Sequence, residues 1–167
     1  IEMDVANSKS VSDAFITILN TVESIDVLVN VAGVMPLTYL KNLHLEEWLN
    51  TIEVNVKGIL RTLHGALPSM KKQNKGHIVN IASVDGKELY KGGAVYGASK
   101  AAIIALSRAM RMELSPEFNI KVTDPDPNEV FDFNIIRIGS RGTVPEVKNV
   151  IALQEGKEGT SVDAILR

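Results

Sequence analysis

The amino-acid sequence predicts an α/β fold of the doubly wound kind: a parallel sheet with helices on both faces, three layers in all. Three observations predict it. Residues 25–31 (IDVLVNV), 77–82 (HIVNIA) and 120–123 (IKVT) are short apolar runs rich in β-branched side chains. Near-continuous apolar character marks strands buried on both faces, as in a parallel sheet. The long segments between these runs repeat apolar residues every three or four positions, the period of a helix with one buried stripe. Finally, the order is helix, strand, helix, strand, helix, strand, which right-handed βαβ units turn into one sheet with helices packed on it.

Taken in order, a short helix is expected over 11–22, followed by the 25–31 strand. A long amphipathic helix comes next, with Leu45, Trp48, Leu49, Ile52, Val56, Ile59, Leu60, Leu63, Leu67 and Met70 on its stripe. After the 77–82 strand, Ala98, Ala101, Ala102, Ala105, Leu106, Ala109 and Met110 mark another helix, and 120–123 the third strand. The last third reads differently. Residues 124–134 (DPDPNEVFDFN) carry four acids, no base and two prolines, which do not suit a central strand. A mobile substrate-loop region is expected over 124–145, and short helices over 144–153 and 161–166. No repeat or linker divides the chain, so residues 1–167 are read as one domain. Three strands are few for this fold. The domain is therefore expected to be incomplete at both ends, with a βαβ unit preceding Asp4 and a closing strand following Arg167. The first residue, Ile1, is not Met, so the chain is not expected to begin where translation does.

Composition narrows the function. Of 167 residues 45% are hydrophobic and 23% charged, with a net charge of −2. A disordered chain lacks so many apolar residues. No apolar run reaches the roughly 18 residues of a membrane span. Without a basic block, neither nucleic acid nor a membrane surface is an expected partner. The absence of cysteine excludes disulfides and thiolate chemistry and fits a reducing compartment. With no signal-peptide pattern, a cytoplasmic location is expected. His44, His64 and His77 lie 20 and 13 residues apart with no second ligand at metal spacing, so no metal site is expected. Ser99 falls in G-A-S, not in the G-x-S-x-G of a hydrolase elbow.

Tyr96 and Lys100 carry the strongest chemical signal. In YGASK they stand four apart at the start of a helix, which puts both on one face. An ammonium beside a phenol favours phenolate and is expected to lower the tyrosine pKa from about 10 toward neutrality. Such a tyrosine can give a proton to a carbonyl oxygen or take one from an alcohol. By itself the pair also fits a solvated helix face. Ser83 lies just past the second strand, thirteen residues before Tyr96. Its hydroxyl could stabilise the oxygen on which Tyr96 acts, or simply serve a turn. Asn55, a mediocre helix former, reads as a polar position on an exposed face, or as a group that bends the helix or holds a water. The run Asn30, Val31, Ala32, Gly33 ends the first strand, and its small residues let a ligand approach the backbone or make a plain turn. Asp4, before Val5, could accept a hydrogen bond from an adenine amino group or open a helix.

Together, in order, these residues resemble the short-chain dehydrogenase/reductase (SDR) family. The likeness runs from about Asp4 to Val122, some 119 of the 167 residues. It rests on Asp4–Val5, the NVAG at Asn30, N-x-x-G at Asn55, Ser83, and Y-x-x-x-K at Tyr96. The resemblance implies a Rossmann-type sheet that binds NAD or NADP, and hydride transfer between the nicotinamide and a small-molecule carbonyl or secondary alcohol. It makes Tyr96 the acid/base, Lys100 its pKa partner and ribose holder, and Ser83 the carbonyl-orienting group. Asn55 would hold a water in a proton relay. Asn30, Ala32 and Gly33 would line the adenosine side, with Asp4 and Val5 at the adenine and Ile81 near the nicotinamide ribose. The 84–95 loop, with Lys87, Glu88, Tyr90 and Lys91, would meet substrate. Family members associate through helices around Asn55 and Tyr96, so a homo-oligomer, tetramer or dimer, is implied. Two departures stand out. The family's TGxxxGxG turn, which cradles the pyrophosphate, is not in this sequence. The Pro-Gly that usually follows the 120–123 strand is Pro127–Asn128, among Asp124, Asp126, Glu129 and Asp132. The alternative reading is a truncated or degenerate non-catalytic member that serves as a subunit or scaffold.

Overall fold

The first helix starts where Asn7 offers it a cap. Asn7 Oδ1 accepts from the N–H groups of Lys9 (2.9 Å) and Ser10 (3.1 Å), satisfying two of the orphan donors of α1, Ser8–Thr21. In this computed structural model, which describes residues 1–124 and 150–153, β1 follows at Val27–Asn30. Next come α2 (Leu45–Ile52), a π-helical turn (Glu53–Lys57) and α3 (Gly58–Lys72). Beyond them lie β2 (Gly76–Asn80), a 3₁₀ turn (Val84–Gly86), α4 (Ala94–Phe118), β3 (Ile120–Thr123) and β4 (Val150–Leu153).

All the strand pairings are parallel, in the order β3-β2-β1-β4. The register sets Asn30 against Asn80 and Val79 against Thr123. This is the expected α/β class, a parallel sheet with flanking helices. From β1 to β2 to β3 the chain steps across the sheet in one direction, so right-handed crossovers carry α3 and α4 over the same face. Ile25, Leu28, Ile78 and Ile120 from the strand segments meet Ala66 and Met70 of α3 and Ile103 of α4 in one core.

Two sequence-based expectations need correction. The long helix over 45–70 is not continuous, because the backbone widens into the π turn at Asn55, whose side chain bonds out of the helix. The helix expected over 144–153 is, at Val150–Leu153, a strand paired with β1. The four residues VIAL are a short apolar run that either state can hold, and the edge of β1 supplied backbone partners. The rest of that segment, the expected 161–166 helix and the 124–145 loop after Asp124 lie outside the described residues. Asp124 itself pairs with Arg111. No helix among the described residues is long and apolar enough to cross a membrane.

Candidate active site

The carboxyl ends of β1 and β2 stop side by side at Asn30 and Asn80, and both side chains turn inward. Asn30 Nδ2 donates to Asn80 Oδ1 (2.8 Å), Thr62 Oγ1 to Asn30 Oδ1 (2.7 Å) and Asn80 Nδ2 to Ser107 Oγ (2.9 Å). This buried polar network ties both strands to α3 and α4 and fixes the edge from which the site is built.

From β2 the chain runs through Ile81 and Ala82 to Ser83, which caps the 3₁₀ turn. Ser83 Oγ accepts from the Asp85 N–H (3.3 Å) and donates to Asp85 Oδ2 (3.2 Å). The turn lies flush on α4 because position 97 carries no side chain. A Cβ on Gly97 would come within 2.6 Å of Leu89 Cδ2 and 2.8 Å of the Asp85 carbonyl oxygen. That close approach sets the Ser83 hydroxyl beside the Tyr96 phenol on the first turn of α4, near enough to influence its ionisation. One turn on, Lys100 is buried; its Nζ donates to the Ile81 carbonyl (2.9 Å) and lies 5.6 Å from the centre of the Tyr96 ring.

Burial raises the Tyr96 phenol above its ordinary value; the Ser83 hydrogen bond opposes this, and the charge of Asp85 adds to it. Burial also lowers the Lys100 ammonium, against the pull of Asp85. The expectation that Lys100 draws the phenol toward neutrality is therefore not met in this arrangement. The pair shares a helix face as its spacing predicts, but Lys100 points its charge at a backbone carbonyl, and burial of the phenol outweighs other influences.

Asn55 is not on an exposed face: it is 1% exposed, in the π turn. Its Oδ1 accepts from the Val34 N–H (2.8 Å), and its Nδ2 donates to the Val34 carbonyl (3.0 Å) and to Ser99 Oγ (3.0 Å). Ser99 Oγ in turn donates to the Tyr96 carbonyl (2.6 Å). The amide thus clamps the loop after β1 against the first turn of α4. Gly33 lies in the same space, where a Cβ would stand 3.2 Å from Asn55 Oδ1 and 3.9 Å from Lys100 Nζ.

Val5, Asn30 and Ala32 line one narrow crevice with Val54, Gly58, Ile59 and Thr62. Asp4 does not join them. It is exposed in the turn before α1, where its Oδ1 accepts from the Ala6 N–H (2.9 Å). Two residues escaped the sequence reading. Ser99 stands three after Tyr96 on the same helix and links it to Asn55. Asp85 stands two after Ser83, where an acidic side chain at the mouth of the cluster was the only signal. Among the described residues no group of three or more histidines or acids could hold a metal.

These features define a class: an α/β protein whose polar cluster sits at the carboxyl edge of a parallel sheet, the edge where open sheets bind ligands. The chain belongs to the short chain dehydrogenase family, whose family model matches residues 1–130. It is 35% identical over 130 residues to an uncharacterized oxidoreductase of Staphylococcus aureus, and 38% identical over 130 residues to one of Staphylococcus epidermidis. Each alignment takes in 78% of this chain and 56% of the relative, so the chain spans about half the length of the curated relatives it matches. A short-chain dehydrogenase from Streptomyces avermitilis aligns with a TM-score of 0.71 and 31% identity, over 74% of this chain and 45% of that one. A serine dehydrogenase in complex with NADP+ aligns at 0.70 and 33%, over 74% and 50%. An NAD+-bound xylitol dehydrogenase aligns at 0.68 and 30%, over 74% and 48%.

Proposed function

We propose that this chain carries the catalytic side of an NAD(P)-dependent oxidoreductase acting on a carbonyl or secondary alcohol. The observation that supports it best is the convergence of the Tyr96 phenol, the Ser83 hydroxyl and the Lys100 ammonium at one sheet edge. The described residues fit part of such a cofactor. Gly33, which leaves open the space a Cβ would fill beside Lys100, suits a ribose with Ile81 at its side, whereas the Val5–Ala32 crevice has room for about one water and is too small for an adenosine as it stands. A bound nicotinamide supplies or accepts the hydride. The chain's own groups handle the oxygen and its proton. In reduction, Tyr96 Oη gives its proton to the carbonyl oxygen, and Ser83 Oγ steadies the charge that builds there. Lys100 supplies positive charge on the same helix face, its Nζ bonded to the Ile81 carbonyl 5.6 Å from the Tyr96 ring centre. Asn55 fixes the geometry through Val34 and Ser99. Any part it has in a water relay must be compatible with those side-chain bonds.

Tyr96→Phe in the protein at its native length tests this reading. It removes only the transferable proton, so turnover with NADH or NADPH should fall by about 10²–10⁴-fold. Far-ultraviolet circular dichroism should not change. Wild-type turnover in that variant would defeat the mechanism. The preference between NAD and NADP is read by titrating each. The exposed Leu37, Leu40, Leu43, Leu45 and Leu49 support a homo-oligomer, tetramer or dimer, whose mass light scattering would report. A second reading, a non-catalytic subunit or scaffold, is favoured by one observation: no phosphate-cradling glycine turn is in the sequence. The two differ in whether the native-length protein binds cofactor.

A further inference from the structure

We propose that Asp85 selects the substrate: its carboxylate binds a hydroxyl or ammonium on the carbon next to the reacting one, so the favoured substrates are α-hydroxy or α-amino carbonyl compounds and the corresponding vicinal diols and amino alcohols. The inference rests on the oxidoreductase reading above and adds the substrate class to it.

Capping needs only the Ser83 oxygen as acceptor for the Asp85 N–H, and any residue at 85 would supply that donor. The carboxylate is an addition. Oδ2 accepts from Ser83 Oγ (3.2 Å) and from the Tyr90 hydroxyl (3.5 Å). Oδ1 takes part in neither of these bonds. The backbone of Asp85 is pressed against α4 at Gly97, which fixes where its side chain starts beside the cluster. Its charge is felt at the reacting groups: after burial, it helps to raise the pKa of Tyr96 and of Tyr90, and it supports the proton on Lys100.

Distances then point to the ligand. A carbonyl oxygen bound between Tyr96 and Ser83 sits about 2.8 Å from Ser83 Oγ. The Asp85 carboxylate lies 3.2 Å from that same oxygen. A donor on the adjacent carbon stands roughly 3 Å from the carbonyl oxygen, and when that carbon is turned to the Ser83 side the donor faces Asp85. A hydroxyl or ammonium gains a charge-assisted bond there. A carboxylate or phosphate at that position meets a like charge instead.

The test uses the native-length protein and matched pairs: an α-hydroxy ketone against the plain ketone, an α-amino ketone against the same ketone, and an α-keto acid. Preference is read as the ratio of kcat/KM values. Binding is read separately, by saturation-transfer NMR of the vicinal diol against the monohydric alcohol. Wild type should favour at least one donor-bearing compound by about tenfold or more and bind the diol better, with the keto acid weakest. Asp85→Asn should cut the preference about tenfold, Asp85→Leu should abolish it, and Asp85→Glu should keep more of it than Asn does. The hydroxyl and amino arms tell which donor the site takes. Turnover that depends on Tyr96 but shows no preference, or a preference untouched by Asn and Leu, overturns this proposal alone. A protein that binds cofactor yet turns over no carbonyl, with Tyr96→Phe indistinguishable from wild type, overturns it together with the oxidoreductase reading.

Discussion

At Tyr96 two environments compete. The half-buried ring disfavours the phenolate, and Asp85 adds to that, while the Ser83 hydrogen bond favours it. Burial wins, so the phenol keeps its proton through the neutral range. A group whose pKa is raised gives up its proton only at higher pH. Reduction, which consumes that proton, should therefore stay level from roughly pH 6 to 9, and oxidation, which needs the phenolate, should still be rising there. Subtracting the ultraviolet phenolate titration of Tyr96→Phe from that of wild type isolates this residue from Tyr39 and Tyr90. Its transition should lie above about 10 and move down in Asp85→Asn. A transition well below 10 in the wild-type chain would refute the assignment of burial as the dominant influence. The positions of these residues were legible in the sequence: Y-x-x-x-K and the preceding serine forecast a cluster, and the chain forms one. The direction of the phenol's shift was not legible. Spacing reports that a lysine is near, while burial depends on how the 3₁₀ turn and α4 close together, which no local pattern encodes.

At the scale of elements, the joint between that turn and α4 carries the geometry. Gly97→Ala forces a Cβ to within 2.8 Å of a backbone oxygen, which cannot swing aside as a side chain can. The turn must lift, carrying Ser83 and Asp85 away from Tyr96. Overpacking of this kind costs about 1–3 kcal/mol, and misplacement by an ångström can lower turnover about 10²-fold. Thermal unfolding and kcat should thus fall together in Gly97→Ala, while a surface control such as Lys72→Ala moves neither. Unchanged kcat in Gly97→Ala would show that the contact does not position the site. Element scale is also where the sequence reading was least complete. Strands β1 and β2 were visible as β-branched runs, but their expected ends overshot, because Val31, Ile81 and Ala82 continue the apolar character after pairing stops. The π turn was legible only as the alternative that Asn55 bends the helix, because apolar spacings of three and four do not register one extra residue. β4 was misread because VIAL carries no period long enough to separate strand from helix.

Over the whole molecule, the groups proposed to act on oxygen and the groups that would hold a dinucleotide are unevenly supplied. The acid/base side is nearly self-contained: Ser83, Asp85, Tyr96, Ser99 and Lys100 come from one loop and one helix, braced by Asn55. The cofactor side amounts to a crevice at Val5 and Ala32, a small residue at Gly33 and the Lys100 ammonium. Among the described residues nothing in it answers the two charges of a pyrophosphate, which helix N-termini with glycine-rich turns meet with backbone N–H groups. The net charge of −2 gives no general attraction either. A polypeptide of this 167-residue sequence should therefore bind NADPH only weakly, with Kd on the order of 1 mM, about −4 kcal/mol. Followed by nicotinamide fluorescence, that affinity should change little with added salt. Micromolar binding that weakens steeply with salt would mean that residues of this sequence grip the phosphates.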